Sequence, residues 1–172
     1  MDVYVREMTE ADCPAVAEIR VLGWQFAYAG LIPQSYLDAM SVIDDRERCR
    51  DRLARAAQGV VALVAERAGT VVGWASFGPY RDGDLPPTAT ELYALYVHPD
   101  HIGTGAGRAL AAEVVARCSA SGTPRLLLWV LKGNSRARRF YELAGFAPDG
   151  AEEPFEVEGV PVPEVRYART LH

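Results

Sequence analysis

The stretch "VHPDHIGTGAGRAL", residues 97–110, spaces Gly103, Gly105 and Gly107 two apart at the junction of a β-branched run and an apolar-periodic run. Glycine weakens both helix and strand, so three of them at such a junction need a local reason. A glycine-rich turn that opens a helix exposes backbone N–H groups with no intrahelical acceptor, and the helix dipole adds partial positive charge where they point. With no Cβ in the way, a phosphate or pyrophosphate can approach that backbone. The spacing excludes two phosphate turns. A P-loop needs lysine and then serine or threonine after its last glycine, where Arg108 and Ala109 stand. A dinucleotide turn needs G-x-G-x-x-G/A, and counting from Gly103 or Gly105 its last place falls on Arg108 or Leu110.

Other reactive side chains point away from metal and covalent chemistry. His98 and His101 lie close together around Asp100 with no further cluster, so they are expected as loop residues and no metal site is expected. Cys13, Cys49 and Cys118 are far apart and odd in number, which argues for reduced thiols over a disulfide framework or a zinc site. No G-x-S-x-G elbow appears, and no cysteine has a nearby histidine in a recognisable motif.

The elements that would position the glycine turn are legible on both sides. "TELYALYV" reads as the strand before it, and the apolar residues Leu110, Ala111, Val114, Val115 and Cys118 share one face of the helix after it. "RLLLWVL" is nearly continuous apolar sequence, as for a strand covered on both faces, so a parallel partner across the helix and a β-α-β unit are expected. In "NSRARRFYELAGF" a cap at Asn134 or Ser135 precedes an apolar stripe through Ala137, Phe140, Tyr141 and Ala144, and Gly145 is the stop. Upstream come a short strand over 3–6, a helix starting near Asp12, a helix over 34–40 and an arginine-rich helix over 44–57. "VVALVAE" and "VVGWASFG" then form an antiparallel pair around "RAGT", and "PYRDGDLPPTA" is a polar loop. Two last strands are expected over 152–158 and 163–170.

The totals bound the function class. At 172 residues the chain fits one domain, 1–172, large enough for a sizeable core. A net charge of −5 gives no broad electrostatic grip on nucleic acid, so an anionic ligand needs a local device. No apolar run approaches a membrane span, and "MDVYVREMTEAD" lacks a signal-type apolar block, so a cytoplasmic protein without membrane partners is expected.

Two segments together resemble the GNAT superfamily of N-acetyltransferases. The glycine turn is similar to its pyrophosphate motif, Gln/Arg-x-x-Gly-x-Gly/Ala, at Gly105 and Gly107, with Ile102 standing where the family usually has glutamine or arginine. "NSRARRFYELAGF" is similar to its N-x-x-A-x-x-F/Y-Y-E-x-x-G-F segment, and the order of elements fits over essentially the whole chain. The resemblance implies a mixed α/β fold, with a mostly antiparallel sheet flanked by helices around a central β-α-β acyl-CoA-binding unit. It implies acetyl-CoA as co-substrate, and direct attack on its thioester by a primary amine of a small molecule or peptide. It also implies pyrophosphate against Ile102, Gly103, Thr104, Gly105, Ala106, Gly107 and Arg108, and pantetheine between the fourth and fifth strands beside Leu95, Tyr96, Val97 and Asn134. Family habit suggests a homodimer through the last strands.

By the same resemblance Tyr141 is the general acid for the thiolate, and Glu91 is a carboxylate that deprotonates the amine, often through water, with Tyr93 placed to help. A β-bulge near Leu95 to Val97 would supply the oxyanion's N–H donor, and Arg108, Arg136 and Arg139 could meet CoA phosphates. Each has a simpler role open to it: Tyr141 as core, Glu91 as a solvated strand end, Asn134 as a cap and the arginines as a solvated face. Trp24, Phe26 and Tyr28 line the acceptor side or merely pack, and Asp149, Glu152, Glu153, Glu156 and Glu158 draw a cationic amine or form a solvated hairpin. The alternative to an enzyme is a non-catalytic acyl-CoA-binding module of the same fold.

Overall fold

In the computed structural model residues 2–81, 85 and 89–171 are described, and parts of the expected polar loop, 82–84 and 86–88, lie outside them. The strands, β1 (Val3–Glu7), β2 (Val61–Arg67), β3 (Thr70–Pro79), β4 (Thr90–Val97), β5 (Arg125–Leu131), β6 (Ala147–Val157) and β7 (Val160–Thr170), form one sheet in the order β1-β2-β3-β4-β5-β7-β6. Every neighbouring pair is antiparallel except β4 with β5. The helices α1 (Cys13–Ala27), α2 (Gln34–Ala39) and α3 (Val42–Ala54) precede β2, α4 (Ala106–Ala120) joins β4 to β5, and α5 (Ser135–Leu143) follows β5.

The alternation of strand side chains gives the sheet two apolar faces. Leu63, Ala65, Ala75, Leu92, Leu126 and Leu128 bury against Leu110 and Val114 of α4 and, through Ala137 and Tyr141, against α5. On the other face Val64 and Trp74 pack with Cys13, Val16 and Cys49 of α1 and α3. Further along that face Leu131 and Val162 meet Ile32 and Leu37, with Trp24 of α1 and its C-cap Tyr28 against the same cluster.

Two features set up the site. The parallel pairing of β4 with β5 covers only Thr90 with Leu126 and Glu91 with Leu127, so residues 92–97 and 128–131 diverge and leave an opening in the middle of the sheet. In β4 the register with β3 slips so that Tyr93 has no partner between the pairs Phe77–Leu92 and Ser76–Ala94. That extra residue changes parity: Leu92 and Leu95 are three apart and still face the same apolar cluster. The bulge expected near Leu95 to Val97 is therefore at Tyr93, and Leu95, Tyr96 and Val97 keep regular register with Ala75, Trp74 and Gly73. Helix α3 begins at Val42 and not Asp44, because Ser41 is its cap and accepts from Asp44 N–H. Strand β6 begins five residues earlier than expected, at Ala147; a register shift between Pro148 and Glu152, with Gly150 at φ 93°, interrupts the alternation that marks a strand.

Candidate active site

The three glycines of the turn have two different reasons. Gly103 and Gly105 have φ of 79° and 96°, in the left-handed region that an L side chain rarely adopts, and a Cβ on either would meet nothing within 4 Å. Gly107 is there for closeness: its Cβ would lie 3.3 Å from the Phe140 ring of α5 and 3.5 Å from Val97. Gly105 is the N-cap of α4, and Ala109 N–H makes the first bond of the helix to its carbonyl at 3.0 Å. The N–H groups of Ala106, Gly107 and Arg108 thus have no acceptor within the helix. Arg67, at the end of β2, anchors the turn by donating to the Thr104 carbonyl at 3.0 Å, and Thr104 Oγ1 donates to the His101 carbonyl at 2.5 Å. His98 accepts from Asp100 N–H at 3.1 Å and His101 packs edge-on to it, so both histidines shape the approach to the turn.

One cavity of about 1510 Å³ runs from this turn, through the opening between β4 and β5, to the α1 face of the sheet. Such a volume exceeds the roughly 300–1,000 Å³ of a site for one small ligand and suits two reactants meeting inside. At the turn end it is lined by Ile102, Gly103, Gly105, Gly107 and Arg108, with Arg136 of α5 and its N-cap Asn134 beside them. Thr104 and Ala106 do not line it; Ala106 is buried in the core and contributes to the turn through its backbone. Arg139 is exposed and outside the lining. Asn134 caps α5, accepting from Ala137 N–H at 3.2 Å.

At the opening Leu95, Tyr96, Val97 and Tyr141 meet the cavity. His98 N–H donates to the Val72 carbonyl of β3, so by strand alternation Tyr96 N–H points to β3 and the N–H groups of Leu95 and Val97 point to the opening, where β5 has diverged. Tyr141 lies between the rings of Phe140 and Phe146, 5.2 and 5.9 Å away by centroid. Burial, and secondarily Tyr96, push its phenol well above the ordinary tyrosine value, so it holds its proton throughout the neutral range. Among the described residues its hydroxyl has no hydrogen-bond partner.

On the α1 face, Tyr28 and Tyr96 share a hydrogen bond of 2.8 Å between their hydroxyls, and burial raises both phenols. Trp24 stands edge-on to Tyr28 at 4.9 Å and lines the cavity with Phe155 and Trp129. Phe26 is 51% exposed, with the Arg136 guanidinium 5.5 Å from its ring centre. The acidic run of the last hairpin is largely spoken for: Asp149 pairs with Arg166 at 2.6 Å, Glu152 with Lys132 at 3.1 Å, and Glu158 accepts from Ser35 at 2.6 Å. Glu153 alone of that run lines the cavity.

Glu91 also lines the cavity, but it is no solvated strand end: it is 3% exposed and takes three hydrogen bonds from Arg81. Sequence reasoning missed Arg81, Trp129 and Glu164, which line the same space. Arg81 stands at the edge of a polar loop without periodicity. Trp129 did carry a signal, a lone indole N–H donor within an apolar strand.

A sheet opened between a parallel fourth and fifth strand, with a glycine turn of unpaired helix N–H groups at one mouth and a buried phenol at the throat, is the arrangement of an acyl-CoA transferase. The sequence pattern of the acetyltransferase (GNAT) family matches residues 24–146. The chain belongs to this family and is an N-acetyltransferase. It is 32% identical over 164 residues to the uncharacterized N-acetyltransferase YuaI of Bacillus subtilis, covering 95% of this chain and 90% of that one. It is 31% identical over 142 residues to the L-amino acid N-acyltransferase MnaT of Escherichia coli, with 83% and 78% covered. Among solved structures, the acetyltransferase YncA of Salmonella typhimurium with its cofactor acetyl-CoA superposes with a TM-score of 0.76 at 27% identity, over 99% of this chain and 94% of that one. Among the described residues no helix is long and apolar enough to cross a membrane.

Proposed function

We propose that this chain, as one domain over 1–172, moves the acetyl group of acetyl-CoA to a primary amine by direct attack. The observation that carries the reading is the cavity joining the glycine turn, the β4–β5 opening and Tyr141 in one space. The pyrophosphate rests on the N–H groups at the start of α4, with Arg108 and Arg136 on hand for phosphate charge. The pantetheine lies in the opening beside Leu95, Tyr96, Val97 and Asn134, in the place a continuous sheet would fill.

The amine enters from the α1 face and must be neutral to attack. Its nitrogen bonds to the thioester carbon, and the carbonyl oxygen becomes an oxyanion that the N–H of Leu95 or Val97 can receive. Glu91 takes the proton that nitrogen sheds, through a water, and later releases it to solvent. As the C–S bond breaks, Tyr141 gives its proton to the sulfur and regains one from solvent, leaving the amide and CoA thiol. The aromatic wall of Trp24, Tyr28, Trp129 and Phe155 favours a small amine with apolar carbon, amino acids included; the name of the Escherichia coli relative supports that class. The cytoplasm and a homodimer through the last strands complete the reading.

The test is thiol release from acetyl-CoA with a panel of amino acids, polyamines and peptide N-termini. Turnover with at least one amine, abolished in Tyr141→Phe at retained CoA affinity, supports the proposal. No thiol release with any amine by protein that binds acetyl-CoA would instead favour a binding module.

A further inference from the structure

Among the described residues the carboxylate of Glu91 is held in place by Arg81, two residues beyond the end of β3. Arg81 donates to Glu91 from its backbone N–H at 3.2 Å and from Nε at 3.3 Å, both to Oε1, and from Nη2 to Oε2 at 3.0 Å. The partners differ sharply in exposure, the Arg81 side chain at 64% and the Glu91 side chain at 4%. A carboxylate buried to that degree requires charge-assisted partners, and a guanidinium fork fixes both of its oxygens at once.

The rest of the surroundings hold Arg81 still. The Tyr93 ring lies under its guanidinium, 4.3 Å from the ring centre to Cζ. Tyr93 is the unpaired residue of the β4 bulge, and its hydroxyl donates to the Pro79 carbonyl, two residues before Arg81. Gly78 makes room for it, since a Cβ there would lie 2.8 Å from Tyr93 Oη. Tyr80 N–H donates to the Ala89 carbonyl at 2.9 Å, so the backbone entering Arg81 is also fixed.

An ionised carboxylate offers about four lone-pair sites. Two on Oε1 and one on Oε2 are occupied by Arg81, which leaves one site on Oε2 for a water or an amine among the described residues. We propose that Arg81 is a positioning residue for acetyl transfer: clamped over Tyr93, it presents Glu91 to the acceptor with a single open acceptor site. This rests on Glu91 being the proton acceptor proposed above. It makes the bulge at Tyr93, and not only the oxyanion donors beyond it, part of the machinery.

A double-mutant cycle on kcat tests it, with the amine selected by thiol release and a retained acetyl-CoA thermal shift as the check of folding. Arg81→Ala should lower kcat by about ten-fold or more with the acetyl-CoA Kd unchanged, whereas in the Glu91→Gln background the same change should have no further effect. Arg81→Lys, which keeps the charge but lacks the fork, should recover only part of kcat. Equal losses from Arg81→Ala in both backgrounds, or a loss confined to the acceptor's KM, would overturn the proposal in favour of direct contact with the acceptor. Full turnover by Glu91→Gln would instead remove the assignment of Glu91, and the positioning role with it.

Discussion

The Phe140 ring of α5 lies 3.3 Å from the point where a Cβ on Gly107 would stand, so the first turn of α4 and the helix carrying Tyr141 rest directly on each other. The proposed anion site and the proposed acid are therefore coupled through one contact. Gly107→Ala forces the ring to give by a few tenths of an ångström, and it should weaken acetyl-CoA binding by about ten-fold in calorimetric titration, a loss of ~1.4 kcal/mol. Gly105→Ala acts differently, through a left-handed φ, and should cost about 1–2 kcal/mol of stability in denaturant unfolding.

Removing the Tyr141 hydroxyl tests the acid without disturbing its packing between Phe140 and Phe146. Tyr141→Phe should lower kcat by roughly 100-fold while the Kd for CoA stays within a few-fold. Because burial raises the phenol, the wild-type kcat should show no alkaline decline from Tyr141 up to about pH 10, the ordinary tyrosine value. Steady-state kinetics across pH reads both.

Outside the cavity lining, Asp12 accepts from Arg6 Nη1 and Nη2 at 2.8 Å each and from Thr9 N–H at 2.8 Å, tying the first strand to the start of α1. The hydrogen bonds from Arg6 hold its carboxyl below the ordinary value against the effect of burial. A depressed carboxyl stabilises the fold above its unfolded pKa, about 3.9, and the contribution is lost as pH falls through the folded value. Asp12→Asn should thus lower Tm at pH 7, and the gap from wild type should narrow progressively below about pH 4. A gap independent of pH would mean that packing, not charge, accounts for the effect.

Much of this site could be read from residues in line. The glycine spacing and the "NSRARRFYELAGF" stripe are local patterns, so the turn, α4, α5 and the place of Tyr141 followed from sequence. The β-α-β unit followed because "RLLLWVL" is apolar on both faces, as a covered parallel strand must be. What could not be read depends on register between strands. The bulge at Tyr93 is a property of β3 and β4 together, and nothing in "TELYALYV" marks which residue is left unpaired. Arg81 joins Glu91 across ten residues that include a loop, a distance at which charge pairing carries no periodic trace. The same limit hid the fate of the acidic hairpin, where Asp149 and Glu152 found cations on β7 and beside β5.

Whether the glycine turn and the β4–β5 opening form an acyl-CoA site is read from the thermal midpoint with acetyl-CoA, CoA, ATP and NAD. Ligand at about 100 times its Kd stabilises a fold by ~2.7 kcal/mol, a readily measured shift. That shift is expected with acetyl-CoA and CoA, and little shift with ATP or NAD at the same concentration. Folded protein whose midpoint is unmoved by acetyl-CoA, or moved more by NAD, would contradict it.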